Sequence, residues 1–161
     1  VGPDVFCCVV ESAGPLLSSL PLLSLCDRHQ LPPFSGSNLV AGCYDLSMTP
    51  SDRNWGDEKL ILNTRDISNF SDNFVPRHMY KAHPDISPLY ADLSNMPPAL
   101  FTVGTRDPLL DDSLFMSSRW QAAGNRTELE VYPGGAHVFM AFPGNLSDES
   151  ATRIHAFMSD L

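Results

Sequence analysis

Positive charge is scarce in this sequence. Ten Lys and Arg stand against nineteen Asp and Glu, a formal net charge of -9. Phosphate recognition needs clustered basic residues, and no run of five or more occurs, which argues against a nucleic-acid partner. Long hydrophobic runs are missing too. None reaches the roughly 20 residues of a membrane span. The Leu-rich stretch from Gly14 to Leu25 is broken by Ser and Pro, with no basic segment before it, so it does not read as a signal peptide. The four cysteines (Cys7, Cys8, Cys26 and Cys43) show no C-x-x-C spacing, which speaks against a metal site. They read as reduced core thiols of a cytoplasmic protein. Internal repeats and low-complexity segments are lacking as well.

What is present is the composition of a globular protein, 43% hydrophobic over 161 residues, read as one domain spanning 1–161. Short apolar runs alternate with helical patterns, which predicts βαβ units and a parallel sheet. Val5–Val10 is a continuous apolar run, as in a strand covered on both faces. A helix is expected over residues 15–28, although Pro21 is awkward inside it. Further strands are expected at Asn38–Tyr44, Ala99–Gly104 and Glu128–Tyr132. Residues 45–97 form a loop-rich insertion with one helix at Thr64–Phe74, whose Ile67, Phe70 and Phe74 share a face. The helix Leu109–Ala123 presents Leu109, Met116, Trp120 and Ala123 to the core, with Asp111 and Asp112 favouring its N-terminus and Gly124 at C′. The last helix is expected to begin at a Ser147 cap and to bury Ile154, Phe157, Met158 and Leu161.

In a parallel α/β sheet, reactive groups gather at the C-terminal ends of the strands. Ser12 follows the first strand in E-S-A-G, Asp107 follows the third and His137 the fourth. A serine hydroxyl becomes a nucleophile when a histidine takes its proton and an acid orients that histidine. The order Ser, Asp, His is that of the α/β-hydrolases.

The stretch SPLYADLSNMPPALFTVGTRDPLLDDSLF (residues 87–115), followed by AAGNRTELEVYPGGAHVFMAF (residues 122–142), resembles the hormone-sensitive-lipase-like esterases. The matching elements are D-P-L-x-D after a strand and G-x-x-H-x-F near the C-terminus. The resemblance implies an α/β-hydrolase fold with Ser12 as nucleophile, His137 as base and Asp107 as its orienting acid. It further implies the Ala13 N–H as an oxyanion donor, and no cofactor. Two departures stand out. Val10 occupies the position of a glycine in the family's Gly-x-Ser-x-Gly elbow, where overpacking would cost about 1–3 kcal/mol. The family's His-Gly-Gly-Gly loop has no counterpart, since the single Gly-Gly pair, Gly134–Gly135, lies in the His137 loop.

The expectation is therefore a truncated α/β-hydrolase, about four parallel strands with helices on both faces. It would hydrolyse small-molecule, short-chain acyl esters slowly through an acyl-enzyme. The competing expectations are a non-catalytic, hydrolase-like small-molecule-binding protein and an inactive fragment. The first strand, with nothing before it to pair with, predicts a homo-oligomer formed through that edge.

Overall fold

The computed structural model describes residues 7–16 and 35–161. Cys26 and most of the helix expected over 15–28 lie outside these residues. Gly14, Pro15 and Leu16 begin a helical turn directly after Ser12 and Ala13. Strands β1 (Cys7–Glu11), β2 (Gly36–Val40), β3 (Ala99–Arg106) and β4 (Thr127–Ala136) form one parallel sheet in the order β1-β2-β3-β4. The register sets Val10 beside Leu39, Leu39 beside Phe101 and Phe101 beside Leu129. All four C-terminal ends therefore open onto one edge.

The two inner strands are buried along both faces, β2 throughout and β3 from Ala99 to Gly104. Their near-continuous burial is the pattern of a sheet covered on each side. Helix α3 (Leu110–Ala122) lays Met116 and Trp120 on the Phe101 face of the sheet. The rings of Phe101 and Trp120 meet edge-on at 5.7 Å, and Tyr44 meets Phe101 at 6.1 Å. The Trp120 indole N–H is satisfied by the Pro97 carbonyl at 3.0 Å, which lets this ring be buried without cost. Leu100 and Thr102 point the opposite way and are buried as well, with helix α4 (Asn145–Ser159) packed against β3.

A second cluster joins Leu16, Cys43, Leu46, Ile67, Val75, Ile86 and Leu109. It anchors residues 45–97, which carry helices α1 (Pro50–Asn54) and α2 (Thr64–Phe74), to the end of the sheet where the strands terminate.

Several elements differ from the sequence reading. The second strand stops at Val40 instead of Tyr44, because Ala41 turns into the left-handed region at φ +45 and the following amides leave the ladder. β4 runs on past Tyr132 to Ala136. Helix α4 starts at Asn145, because the Ser147 hydroxyl donates to the Met140 carbonyl at 2.9 Å instead of capping. On α2, Ile67 and Ser71 are buried, whereas Phe70 and Phe74 are half-exposed and stack on each other at 5.7 Å. Ala123 is exposed at the end of α3, and Gly124 takes φ +89 as a C′ glycine.

Candidate active site

Ser12 is the first residue beyond β1 and holds φ +57, a conformation uncommon for a residue with a side chain. Its backbone is gripped from β2 and beyond: the Ser12 N–H donates to the Val40 carbonyl at 3.0 Å, and its carbonyl accepts from the Cys43 N–H at 3.3 Å. The strand-to-helix reversal throws the hydroxyl outward from the sheet edge. Val10, expected to crowd this turn, packs against the core cluster and abuts Gly14. A Cβ at Gly14 would come within 3.0 Å of the Val10 Cβ, so the glycine two residues after Ser12 supplies the space that Val10 takes up.

Asp107 follows β3 directly and precedes Pro108. Its Oδ1 accepts from the Leu109 N–H at 2.9 Å, which fixes the carboxylate at the head of α3. His137 follows β4 directly. Val138 after it takes φ +46 and turns the chain into a short 3₁₀ helix, Phe139–Ala141. Two glycines bring the strand ends together: a Cβ at Gly104 would lie 2.0 Å from the Gly135 carbonyl oxygen. The Gly134 N–H adds a bond to the Thr105 hydroxyl at 2.9 Å.

Residues far apart in sequence thus meet. His137 Nε2 lies 2.9 Å from Ser12 Oγ, while His137 Nδ1 lies 2.9 and 3.1 Å from the two Asp107 carboxylate oxygens. Asp107 and His137 are 1% and 2% exposed, and Ser12 is half-buried at the surface side. A carboxylate only accepts, so it selects the tautomer with the proton on Nδ1 and leaves Nε2 free to take a proton from Ser12. Ala13, whose N–H comes next in the chain, is half-buried beside it.

A pocket of about 120 Å³ opens at Ser12, walled by Ala13, Cys43, Leu62, Ile67, Phe70 and Leu109. Asp66 is the charged group in its wall and pairs with Lys59 at 3.0 Å. Leu62, Ile67 and Phe70 come from the insertion, and the sequence alone offered no sign of this role.

Behind the site lies a buried acidic group that the sequence also did not disclose. Asp112, expected to favour a helix terminus and matching an acidic position of the resembled family, is fully buried and accepts from the Tyr44 and Asp45 amides at 2.6 and 2.9 Å. The Thr49 hydroxyl stands 2.8 Å from Asp112 Oδ2 and 3.0 Å from Asp52 Oδ2. One hydroxyl proton cannot serve two carboxylates. Burial, and then the charge of Asp52, push the Asp112 carboxyl well above the ordinary range, and burial raises Asp52 to about 6. Burial and the neighbouring carboxylates push the Cys43 thiol up as well, which keeps it protonated and inert.

A family model described as alpha/beta hydrolase fold matches residues 7–141. An esterase of Acinetobacter venetianus is 26% identical over 133 residues, covering 82% of this chain and 44% of its own length. An acetyl esterase of Salmonella choleraesuis is 28% identical over 138 residues, 82% of this chain and 42% of its own. Among solved structures, a hormone-sensitive lipase from a metagenome library superposes with a TM-score of 0.87 at 30% identity, over 96% of this chain and 52% of that one. A hyperthermophilic esterase from Pyrobaculum calidifontis gives 0.86 at 26% identity, again over 96% and 52%. The chain spans about half the length of these relatives. A sheet of this order with a family match over most of its length leaves one conclusion: the chain belongs to the alpha/beta hydrolase fold family, and hormone-sensitive-lipase-like esterases are among its structural neighbours.

Proposed function

We propose that this chain carries the catalytic residues of a carboxylic-ester hydrolase acting on short acyl esters. The observation that carries the reading is the continuous hydrogen-bonded line from Ser12 Oγ through His137 to Asp107, with both links at 2.9 Å. Ser12 Oγ attacks the ester carbonyl carbon while its proton passes to His137 Nε2. Asp107 steadies the imidazolium that forms. The Ala13 N–H stabilises the negative oxygen of the tetrahedral intermediate. The alcohol leaves with the proton held on His137, and the acyl group stays on Ser12. Water then attacks the acyl-enzyme, gives a proton to His137, and releases the acid as Ser12 recovers its own.

The small apolar pocket beside Ser12 supports a short acyl group. Its 120 Å³ is below the roughly 150 Å³ of a cavity that accepts a benzene ring. A hydrophobic wall with one paired carboxylate gives no anchor for a charged acyl chain. Related proteins named esterase and acetyl esterase point the same way.

Hydrolysis of p-nitrophenyl acetate and butyrate tests this. Ser12→Ala and His137→Ala should each remove most of the turnover, and the double variant should cost little more than either, because such residues act as a unit. A fluorophosphonate probe should label the parent chain and not Ser12→Ala. Equal rates for the parent and Ser12→Ala would overturn the reading.

A further inference from the structure

Three consecutive amides tie the two halves of the site together. The Cys43 N–H donates to the carbonyl of Ser12, while the next two, from Tyr44 and Asp45, both donate to Asp112 Oδ1. Asp112 sits in the first turn of α3, five residues after Asp107. The tripeptide 43–45 therefore bridges the backbone of the proposed nucleophile to the helix that begins at the proposed acid. We propose that Asp112 is a positioning residue of the active site, holding the Asp107 turn and the Ser12 turn at a fixed separation through the amides of residues 43–45. The inference rests on the ester-hydrolase reading of Ser12.

A second tie runs in parallel. The Ser51 hydroxyl donates to the Pro108 carbonyl at 2.5 Å and accepts from the Asp111 N–H at 3.0 Å, and the Ser51 N–H donates to Asp111 Oδ2 at 2.8 Å. Segment 43–51 thus clasps the chain at Pro108, Asp111 and Asp112, directly after Asp107. Asp112 is 0% exposed, so its bonds do not compete with water. Its distance from the reacting atoms is bridged by backbone alone, a stiff connection. Misplacement of a reacting group by about 1 Å costs on the order of 100-fold in rate.

Asp112→Asn and Asp112→Ala separate the role from mere bulk. Asparagine keeps Oδ1 for the Tyr44 and Asp45 amides, and its amino group can donate to the Thr49 hydroxyl, which then donates to Asp52. Alanine removes all three bonds. Two readouts are followed in the intact 161-residue chain: kcat and KM with p-nitrophenyl acetate, and the low-field proton resonance of the His137 ring. Asp112→Ala should lower kcat at least tenfold with KM within twofold, and should shift or broaden the resonance. Asp112→Asn should restore both, with kcat within threefold of the parent. An alanine variant with parental kcat and an unmoved resonance would overturn the proposal, as would an alanine defect that asparagine does not repair. Should Asp112→Ala fail to fold, Ser51→Ala decides, since it removes the two hydroxyl bonds of the parallel tie and leaves the Ser51 N–H bond to Asp111: a three- to tenfold loss in kcat at constant KM is expected, and no loss overturns the proposal. If the parent shows no turnover the hydrolase reading fails, while the His137 resonance still reports whether Asp112 positions the ring.

Discussion

At the scale of single residues, the proposed triad stands directly after three strands, and the groups that hold those turns come from elsewhere in the chain. Ser12, Asp107 and His137 can be picked out because each follows an apolar run that reads as a strand, and strand ends are where a parallel sheet exposes its residues. Asp112 could not be picked out in this way. In the first turn of a helix an acid is favoured by the helix dipole whether or not it does anything else, so its burial leaves no mark in the pattern. The fit of Val10 is as little legible, because the residue it abuts is Gly14, across the turn. Asp52 supports a prediction of its own. Its side chain is fully buried and its Oδ1 has no partner, and burial raises the carboxyl from 3.8 to about 6. The folded chain binds this proton more tightly than the unfolded one. The contribution to stability is therefore complete below 3.8 and is lost as pH rises through about 6. Asp52→Asn keeps an acceptor for Thr49 and cannot ionise. Urea unfolding at about pH 8 should show it more stable than the parent by up to about 3 kcal/mol, with the difference closing in acid. A variant less stable than the parent at both extremes would refute the ionisation argument.

Elements were legible where periodicity had a single cause. Helix Thr64–Phe74 matches its expected ends, and the expected third strand begins where β3 does, at Ala99. Periodicity does not say what an apolar face touches, however: Phe70 and Phe74 stack on each other instead of joining the core, and Phe70 lines the pocket. The short helix Pro50–Asn54 was missed although Thr49 and Asp52 stand at capping-box spacing, because five residues carry no period. Strand ends were the least legible, since β2 stops where amides find partners from distant residues. The β3–β4 end is where a backbone approach governs the site. Alanine at Gly104 would push its Cβ onto the Gly135 carbonyl, which is main chain and has no rotamer to escape by. Gly104→Ala should lose about 1–3 kcal/mol of stability, and by displacing the turn before His137 should lower ester turnover on the order of 100-fold. The control is Gly144→Ala, where an added Cβ meets nothing within 4 Å and the backbone is extended. It should leave both within the ordinary scatter of surface substitutions, about 0.5 kcal/mol. Equal effects at the two glycines would mean that the close approach is unimportant.

For the whole molecule, alternation of strand and helix patterns was enough to give a parallel sheet, and consecutive strands tend to lie side by side, as in β1-β2-β3-β4, even across the long insertion between β2 and β3. What such a sheet leaves at its margins follows from the same order. Among the described residues β1 pairs with β2 alone, so its other side presents N–H and C=O groups without ladder partners, and Val9 is 62% exposed beside them. An apolar edge of this kind is a template for another strand. The net charge of -9 opposes close approach of two copies, and salt screens that repulsion over about 10 Å at 0.1 M. Self-association of the 161-residue chain through β1 is therefore expected, and it should strengthen with ionic strength. Val9→Lys places a charge on the edge without touching the buried face, and it should shift the species seen by light scattering at micromolar concentration toward the monomer. It should do so at unchanged thermal midpoint, since the side chain contributes little to the core. A parent that is monomeric at every salt concentration, or a lysine variant that associates as the parent does, would move the contact away from β1. The second outer strand, β4, is the place such a result would point to, because Leu129 and Val131 are each 38% exposed along it. There, though, Glu128 and Glu130 are bonded to Arg153, and a partner strand would have to dock beside an ion-pair network that is already satisfied.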